Sequence, residues 1–290
     1  MNNSYSIYFI LFYNKIKFSK MLKNYINITL FILLIYYLMQ NIDEKLIITI
    51  EGPIGVGKST FSEILLKNWD DCEIVPEPVD LWKDLKNSDG KNMLDTFYTD
   101  IKRYAYTFQN VACITRMMKM EQTLRETKKG TVFLDRSLAT DANVFEKMLY
   151  DSGMINELEH QAYNLWCDFY WKYVRDQSKN KPIHIYLKCD AEICHKRIQK
   201  RGRIEEQGIT LEYLQDLNKY HDVWLNSGAE NAIVLDCNDD FESDPEKQKQ
   251  MINTIRERVK QILESNNSEN KITQHIEIIK ENDIVVETDN

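Results

Sequence analysis

Short runs of apolar, largely β-branched residues alternate along most of this chain with longer segments whose apolar positions recur at helical spacing. Leu46-Ile47-Ile48-Thr49-Ile50 predicts a first strand that runs into a glycine-rich turn, and Phe61, Ile64 and Leu65 predict a helix over Lys58–Trp69. Cys72–Val75, Thr131–Leu134, Ile183–Leu187 and Ala232–Leu235 read as four more strands. Helices are expected over roughly 95–126, 140–150, 156–174, 191–200, 211–225 and 245–263. Strands that are apolar nearly throughout, spaced by helices, imply a parallel sheet covered on both faces. The expected fold class is therefore α/β, with a five-stranded parallel sheet flanked by helices.

Both ends depart from this rhythm. Residues 1–42 hold four lysines and no acid, and an uncharged stretch of 19 residues runs from Asn24 to Ile42. Its densest apolar part, Leu30–Met39, is short for a membrane span, which needs about 20 apolar residues. We read residues 1–42 as a hydrophobic and basic extension, for targeting or dispensable, with initiation near Met39 as one reading. Residues 265–290 carry six acids against two lysines and are expected to form an acidic, disordered tail. A single domain over residues 43–264 lies between them.

With 43% hydrophobic and 28% charged residues, the chain of 290 residues can build a core, which excludes disorder as its general state. Its 37 basic against 45 acidic residues leave a net charge of −8, which argues against a general grip on nucleic acid. Any phosphate this protein handles must be met by locally gathered positive charge. The six cysteines (Cys72, Cys113, Cys167, Cys189, Cys194 and Cys237) form no C-x-x-C pair and read as buried thiols of a reducing compartment.

That local positive charge begins at Gly52-Pro53-Ile54-Gly55-Val56-Gly57-Lys58-Ser59, which matches G-x-x-x-x-G-K-[ST] between a strand and a helix. Glycines let backbone N–H groups curl around phosphate oxygens, and the helix N-terminus adds a favourable dipole. Lys58 would reach the β- and γ-phosphates of a nucleoside triphosphate, Ser59 would ligate Mg²⁺, and Thr60 follows in the same donor site.

Four further constellations point to an acceptor. Pro76 and Pro78 flank Glu77 and hold its carboxylate on a stiff, extended segment after the second strand. A carboxylate there faces the crevice where such sheets bind ligands, and can take a proton from an attacking hydroxyl. Asp135-Arg136-Ser137 ends the third strand, with Asp135 placed to hold Mg²⁺ or its water and Arg136 to meet phosphate or the acceptor oxygen. Arg197, Arg201 and Arg203, with Gly202 among them and Glu205-Glu206 beyond, form a basic lid able to neutralise a transferring phosphoryl group. Tyr98, Phe108, Gln109, Arg116 and Asp141 fall on helices near the same sheet end, where the Gln109 amide both donates and accepts, as a base edge requires.

Together these segments resemble the deoxyribonucleoside kinase family, and most closely its deoxycytidine and deoxyguanosine kinases. The resemblance runs from about Leu46 to Leu263 and is most specific over Arg201–Leu214, which looks like the family's lid and following helix. It implies a P-loop nucleoside/nucleotide kinase-like fold with a basic lid, and transfer of the γ-phosphoryl of ATP or another NTP to the 5′-hydroxyl of a deoxynucleoside. By the resemblance Glu77 is the general base, Arg136 supports it, and Lys58 acts on the donor. Tyr98 and Glu206 hold the sugar 3′-hydroxyl, Trp82 walls the pocket, Gln109 pairs with the base edge beside Phe108, and Phe145 stacks on the base. Arg197, Arg201 and Arg203 match lid arginines on the donor phosphates, and Asp240-Phe241 resembles the loop beside the donor base. The Arg116–Asp141 pair implies deoxycytidine, deoxyadenosine or deoxyguanosine over thymidine, because in thymidine-preferring relatives these positions are apolar or small. Two departures stand out: many relatives have Glu at the position of Asp135, and Ala142 replaces a usual Arg.

Two alternatives stay open on the sequence: a thymidylate-kinase-like nucleoside monophosphate kinase, and a non-catalytic relative serving as an accessory subunit. The expected partners are the deoxynucleoside, the NTP with Mg²⁺, and a second copy of the chain through the helices around residues 140–174. No nucleic acid is expected, and membrane contact only through residues 24–42. The expected location is the cytoplasm, with mitochondrial or membrane-associated placement through the N-terminal segment as the alternative.

Overall fold

The chain divides into two units, Met1–Asp43 and Glu44–Asn290. The computed structural model describes residues 45–177, 181–203, 206–226 and 231–287, with side chains throughout except over 173–177 and 267–287. The readings of residues 1–42 therefore lie outside the described residues.

Five strands, β1 (Leu46–Glu51), β2 (Cys72–Val75), β3 (Thr131–Asp135), β4 (Ile183–Lys188) and β5 (Ala232–Asp236), form one sheet in the order β2-β3-β1-β4-β5. Every pairing is parallel, with Leu46–Ile50 alongside Thr131–Asp135 and Ile48–Glu51 alongside Ile183–Tyr186. The central strand is buried on both faces from Ile47 to Glu51, which explains why its apolar run is nearly unbroken. On the edge strand β5 the pattern alternates: Ile233 and Leu235 are buried while Val234 is exposed. The connections leaving β1 and β3 run to opposite sides of the sheet, so a crevice opens beyond their carboxyl ends.

The helices are α1 (Lys58–Asn68), α2 (Val79–Asp84), α3 (Met93–Thr99), α4 (Ile101–Glu126), α5, α6 (Glu157–Gln177), α7 (Ala191–Arg201), α8 (Leu211–His221) and α9 (Pro245–Glu287). Helix α5 is composite: an α turn over Leu138–Thr140, a π-helical stretch over Asp141–Glu146 and α-helix again over Lys147–Asp151. A second π-helical stretch, Asp222–Asn226, continues α8.

Where these bounds differ from the sequence reading, local chemistry accounts for it. The single helix expected over 95–126 is two, because Asp100 leaves helical geometry (φ −143°, ψ 77°) and its carboxylate accepts from Arg103 N to cap α4. Helix α2 has six residues with Trp82 alone buried, too short to carry a periodic signal. The backbone of α9 stays helical to Glu287, a correction to the disordered tail expected after Leu263: no Gly or Pro follows Pro245 to break it.

One apolar cluster joins β1, β4 and β5 to α1, α7, α8 and α9 through residues such as Ile48, Phe61, Ile185, Leu214 and Ile255. A second cluster packs Trp82, Leu94, Phe97, Phe108, Ala112 and Leu149, which lie on α2, α3, α4 and α5. It walls one side of the crevice.

Candidate active site

The P-loop leaves β1 and turns into α1 as the motif predicts. A Cβ on Gly55 would stand 2.6 Å from the Cys194 carbonyl oxygen, and one on Gly57 would stand 2.9 Å from the Phe241 ring. Both glycines hold positive φ, 87° and 105°, so a side chain at either would be strained as well as crowded. Gly57 is the N-cap of α1 and supplies no side-chain cap, so the first amides of the helix keep their donors for an anion. Lys58 is buried, and its Nζ donates to the carbonyls of Gly52 (3.3 Å) and Pro53 (3.2 Å). Burial, followed by the nearby Arg136 charge, brings its ammonium down to about 8.

Facing the loop is Glu77, in the extended segment between β2 and α2. Arg136 Nη1 donates to both of its carboxylate oxygens at 2.9 Å, and Arg116 Nη2 adds a third bond at 3.1 Å. Burial alone would raise this carboxyl; Arg136, Arg116 and Lys58 outweigh it and bring the group down to about 2. Arg136 also reaches the Gly52 carbonyl at 3.4 Å, which ties the acceptor side to the donor loop.

Arg116 reaches Asp141 through Nε (2.9 Å) and Nη2 (3.2 Å), and its Nη1 donates to the Asp135 carbonyl at 3.1 Å. Burial raises the Asp141 carboxyl, with Arg116 opposing. The same helix, α4, presents Phe108, Gln109, Ala112 and Arg116 on one face. Gln109 is 2% exposed, and its Oε1 has no hydrogen-bond partner among the described residues. A buried acceptor left unpaired costs about 1–3 kcal/mol, which favours a ligand donor at that position. Trp82 stands edge-on to Phe108, with ring centroids 5.3 Å apart, and its indole N–H is fixed by Thr115 Oγ1. The Phe145 ring lies under the Arg136 guanidinium, 5.0 Å from its centroid.

Asp135 ends β3, and burial raises its carboxyl, with Lys58 opposing. Its Oδ1 is buried with no partner among the described residues. With the Ser59 hydroxyl it makes an oxygen donor set suited to Mg²⁺, which draws further ligands from phosphates and water. Among the described residues no group of three His, Cys, Asp or Glu could hold a metal by itself.

A cavity of about 300 Å³ unites Lys58, Ser59, Thr60, Glu77, Trp82, Tyr98, Phe108, Gln109, Arg116, Asp135, Arg136, Asp141, Phe145, Arg201, Arg203 and Glu206. Val79, Leu94, Ala112 and Ile209 also line it and were missed by the sequence reading. Ala112 could have been found, because it lies between Gln109 and Arg116 at helical spacing. In the lid, Arg201 binds Glu206 through two nitrogens at 2.7–3.0 Å and Arg203 approaches the same carboxylate at 3.6 Å, so these three form one ionic cluster.

Three other predicted residues stand outside the cavity lining. Arg197 donates to the carbonyls of Val56, Asn238 and Asp239 and so clamps the P-loop to the segment after β5. Phe241 is buried, edge-on to Phe61 at 6.3 Å, beneath the P-loop. Asp240 accepts from Ser243 Oγ and Glu242 N, bonds that lower its carboxyl. Its side chain organises its own loop.

Sequence comparison accords with this geometry. The family profile described as deoxynucleoside kinase matches residues 48–260. The chain belongs to the deoxynucleoside kinase family. Its similarity to "Deoxycytidine kinase 2" of Gallus gallus is 36% identity over 235 residues, 72% of this chain and 88% of that protein. With "Deoxycytidine kinase" of Homo sapiens it is 35% over 238 residues, 72% and 91%. With "Deoxyguanosine kinase, mitochondrial" of Xenopus laevis it is 28% over 235 residues, 72% and 88%. Of the alternatives left open by the sequence, membership supports the deoxynucleoside kinase over the monophosphate kinase and the non-catalytic subunit. Among the described residues, no helix of this kinase is long and apolar enough to cross a membrane.

Proposed function

We propose that this deoxynucleoside kinase moves the γ-phosphoryl of ATP, or another NTP, to the 5′-hydroxyl of deoxycytidine, deoxyadenosine or deoxyguanosine rather than thymidine. The observation that carries this reading is Glu77, held by Arg136 and Arg116 in the same cavity as Lys58, with the unpaired Gln109 oxygen further along its wall. In the reaction O5′ attacks the γ-phosphorus as the bond to the β–γ bridging oxygen breaks, and Glu77 accepts the hydroxyl proton. A carboxyl near 2 is a weak base. Phosphoryl transfer through a loose transition state asks for little deprotonation until the new bond is well formed, so orienting the hydroxyl is the larger contribution. Lys58, the α1 amides, Arg201 and Arg203 take the donor phosphates; as they do so Arg201 releases Glu206, which turns with Tyr98 to the sugar 3′-hydroxyl. Mg²⁺ on Ser59 and Asp135 would neutralise charge on the β- and γ-phosphates. Arg197 and the Asp240-Phe241 loop contribute by shaping the donor loop, with backbone facing the donor base.

The bidentate Arg116–Asp141 pair supports the base preference: it offers donors and an acceptor to an amino- or oxo-bearing edge and crowds a 5-methyl group. The names of the similar chicken, human and frog kinases point the same way. The test is a panel of deoxycytidine, deoxyadenosine, deoxyguanosine, thymidine and thymidylate with MgATP, on the full chain and on a protein beginning at Met39. Turnover of thymidylate alone would reject the reading.

The kinase acts, in this reading, as a homodimer in a reducing compartment, the cytoplasm. Leu158, Leu165, Trp166 and Phe169 of α6 and Ile114 and Met118 of α4 are exposed apolar side chains on two helices that pack together. Tyr163, of the aromatic stripe read from the sequence, is fully buried and belongs to the core. All six cysteines are free thiols and buried. Trp166→Glu with Phe169→Glu should convert the dimer to a monomer in sedimentation velocity.

A further inference from the structure

Glu51, the last residue of β1, is fully buried and immediately precedes the P-loop. It takes part in none of the contacts described above. Its two carboxyl oxygens accept from two hydroxyls of the next loop: Ser137 Oγ at 2.7 Å and Thr140 Oγ1. Those hydroxyls have a second duty. Ser137 Oγ accepts from Thr140 N, and Thr140 Oγ1 accepts from Ser137 N, the reciprocal cap that starts α5. A hydroxyl has a single proton to donate. Each of these therefore caps the helix with a lone pair and spends its proton on Glu51.

The turn so fixed carries the acceptor side of the site. Arg136 directly precedes Ser137 and holds φ +62°, the left-handed region that a non-glycine residue avoids. Its N–H donates to the Ile50 carbonyl, one residue before Glu51. Asp141 directly follows Thr140. We infer that Glu51 is a positioning residue for phosphoryl transfer: it latches the turn bearing Arg136 and Asp141 to the strand that launches the donor loop, and so sets Glu77 against the donor. The inference rests on the proposed reaction for its kinetic readout only.

Glu51→Gln tests it with nearly unchanged volume. One acceptor becomes an NH₂ group, so one hydroxyl must rotate away and surrender its cap. Because a misplacement of about 1 Å can cost about 100-fold in rate, kcat should fall by about 10- to 100-fold while KM for MgATP stays within about threefold. Thr140→Val should lower kcat similarly, Thr140→Ser should restore it, and Glu51→Gln with Thr140→Val should be less than additive. In a crystal structure of Glu51→Gln, Arg136 should leave φ near +62° or its two bonds to Glu77 should lengthen. A folded Glu51→Gln enzyme with unaltered kcat and a lowered melting temperature overturns the inference, as does an unmoved Arg136. If Glu51→Gln does not fold, Ser137→Ala and Thr140→Val carry the same measurements. If the wild-type chain phosphorylates no deoxynucleoside, the reaction fails on its own account, and the crystal structure still decides the latch.

Discussion

Arg136 grips both oxygens of Glu77 from a backbone in the left-handed region, the one non-glycine residue there among those described. That conformation costs roughly 1–2 kcal/mol, and the ion pair it permits is part of what holds it. Base and brace are therefore a single unit, and a change to either acts on both.

Glu77→Gln should lower turnover by roughly 10²–10⁴-fold with donor binding retained, measured by steady-state kinetics and by calorimetry with a non-hydrolysable donor. Folding moves this carboxyl from 4.5 to about 2, so between those values the unfolded chain binds more protons than the native one. The stabilisation is complete above pH 4.5 and disappears as pH falls toward 2. Melting temperature against pH should slope less across that window in Glu77→Gln than in the wild type; identical slopes would separate Glu77 from its arginines.

Lys58 gives the opposite sign. Its ammonium drops from 10.5 to about 8 on burial, so the native state binds fewer protons across that interval and stability rises with pH there. Donor phosphates need the charged form. Affinity for a non-hydrolysable MgATP analogue should weaken by about tenfold from pH 7 to 9, with proton uptake on binding near pH 8, and Lys58→Met should abolish the dependence.

The strands were legible because a strand buried on both faces must be apolar throughout, and Glu77 because two prolines stiffen its segment. What the sequence could not show is what a polar tip touches. Arg197 reads as a phosphate ligand by its company in the lid, yet its three carbonyl partners include Val56, 141 positions away. Glu51 belongs to no pattern, and its hydroxyl partners lie 86 and 89 positions downstream. The break at Asp100 was obscured because one capping carboxylate interrupts an otherwise continuous helical rhythm.

Replacing Arg116 and Asp141 together, by Leu and Ala, should raise the ratio of thymidine to deoxycytidine turnover by about tenfold or more, while overall kcat falls because Glu77 loses one of its arginines. Asp141→Ala alone should be worse in stability than the pair, because it leaves the buried Arg116 charge short of a partner. A double variant with unchanged base selectivity would remove the pair from that role.

Phe241→Ala should destabilise the fold by about 3–5 kcal/mol, since a buried ring that supports the P-loop is lost. Preference between ATP and UTP should stay as in the wild type if the ring packs under the loop instead of stacking on the donor base. Competition kinetics with the two donors reads this directly.

The wide turn of α5 over Asp141–Glu146 has an evolutionary consequence. Each residue of an α-helix advances its neighbours by about 100°, so deleting one residue here would tighten the coil and rotate everything after it by that angle. Asp141 would keep its place, while Met148 and Leu149 would swing out of the core. The segment can therefore change its letters freely but not its count.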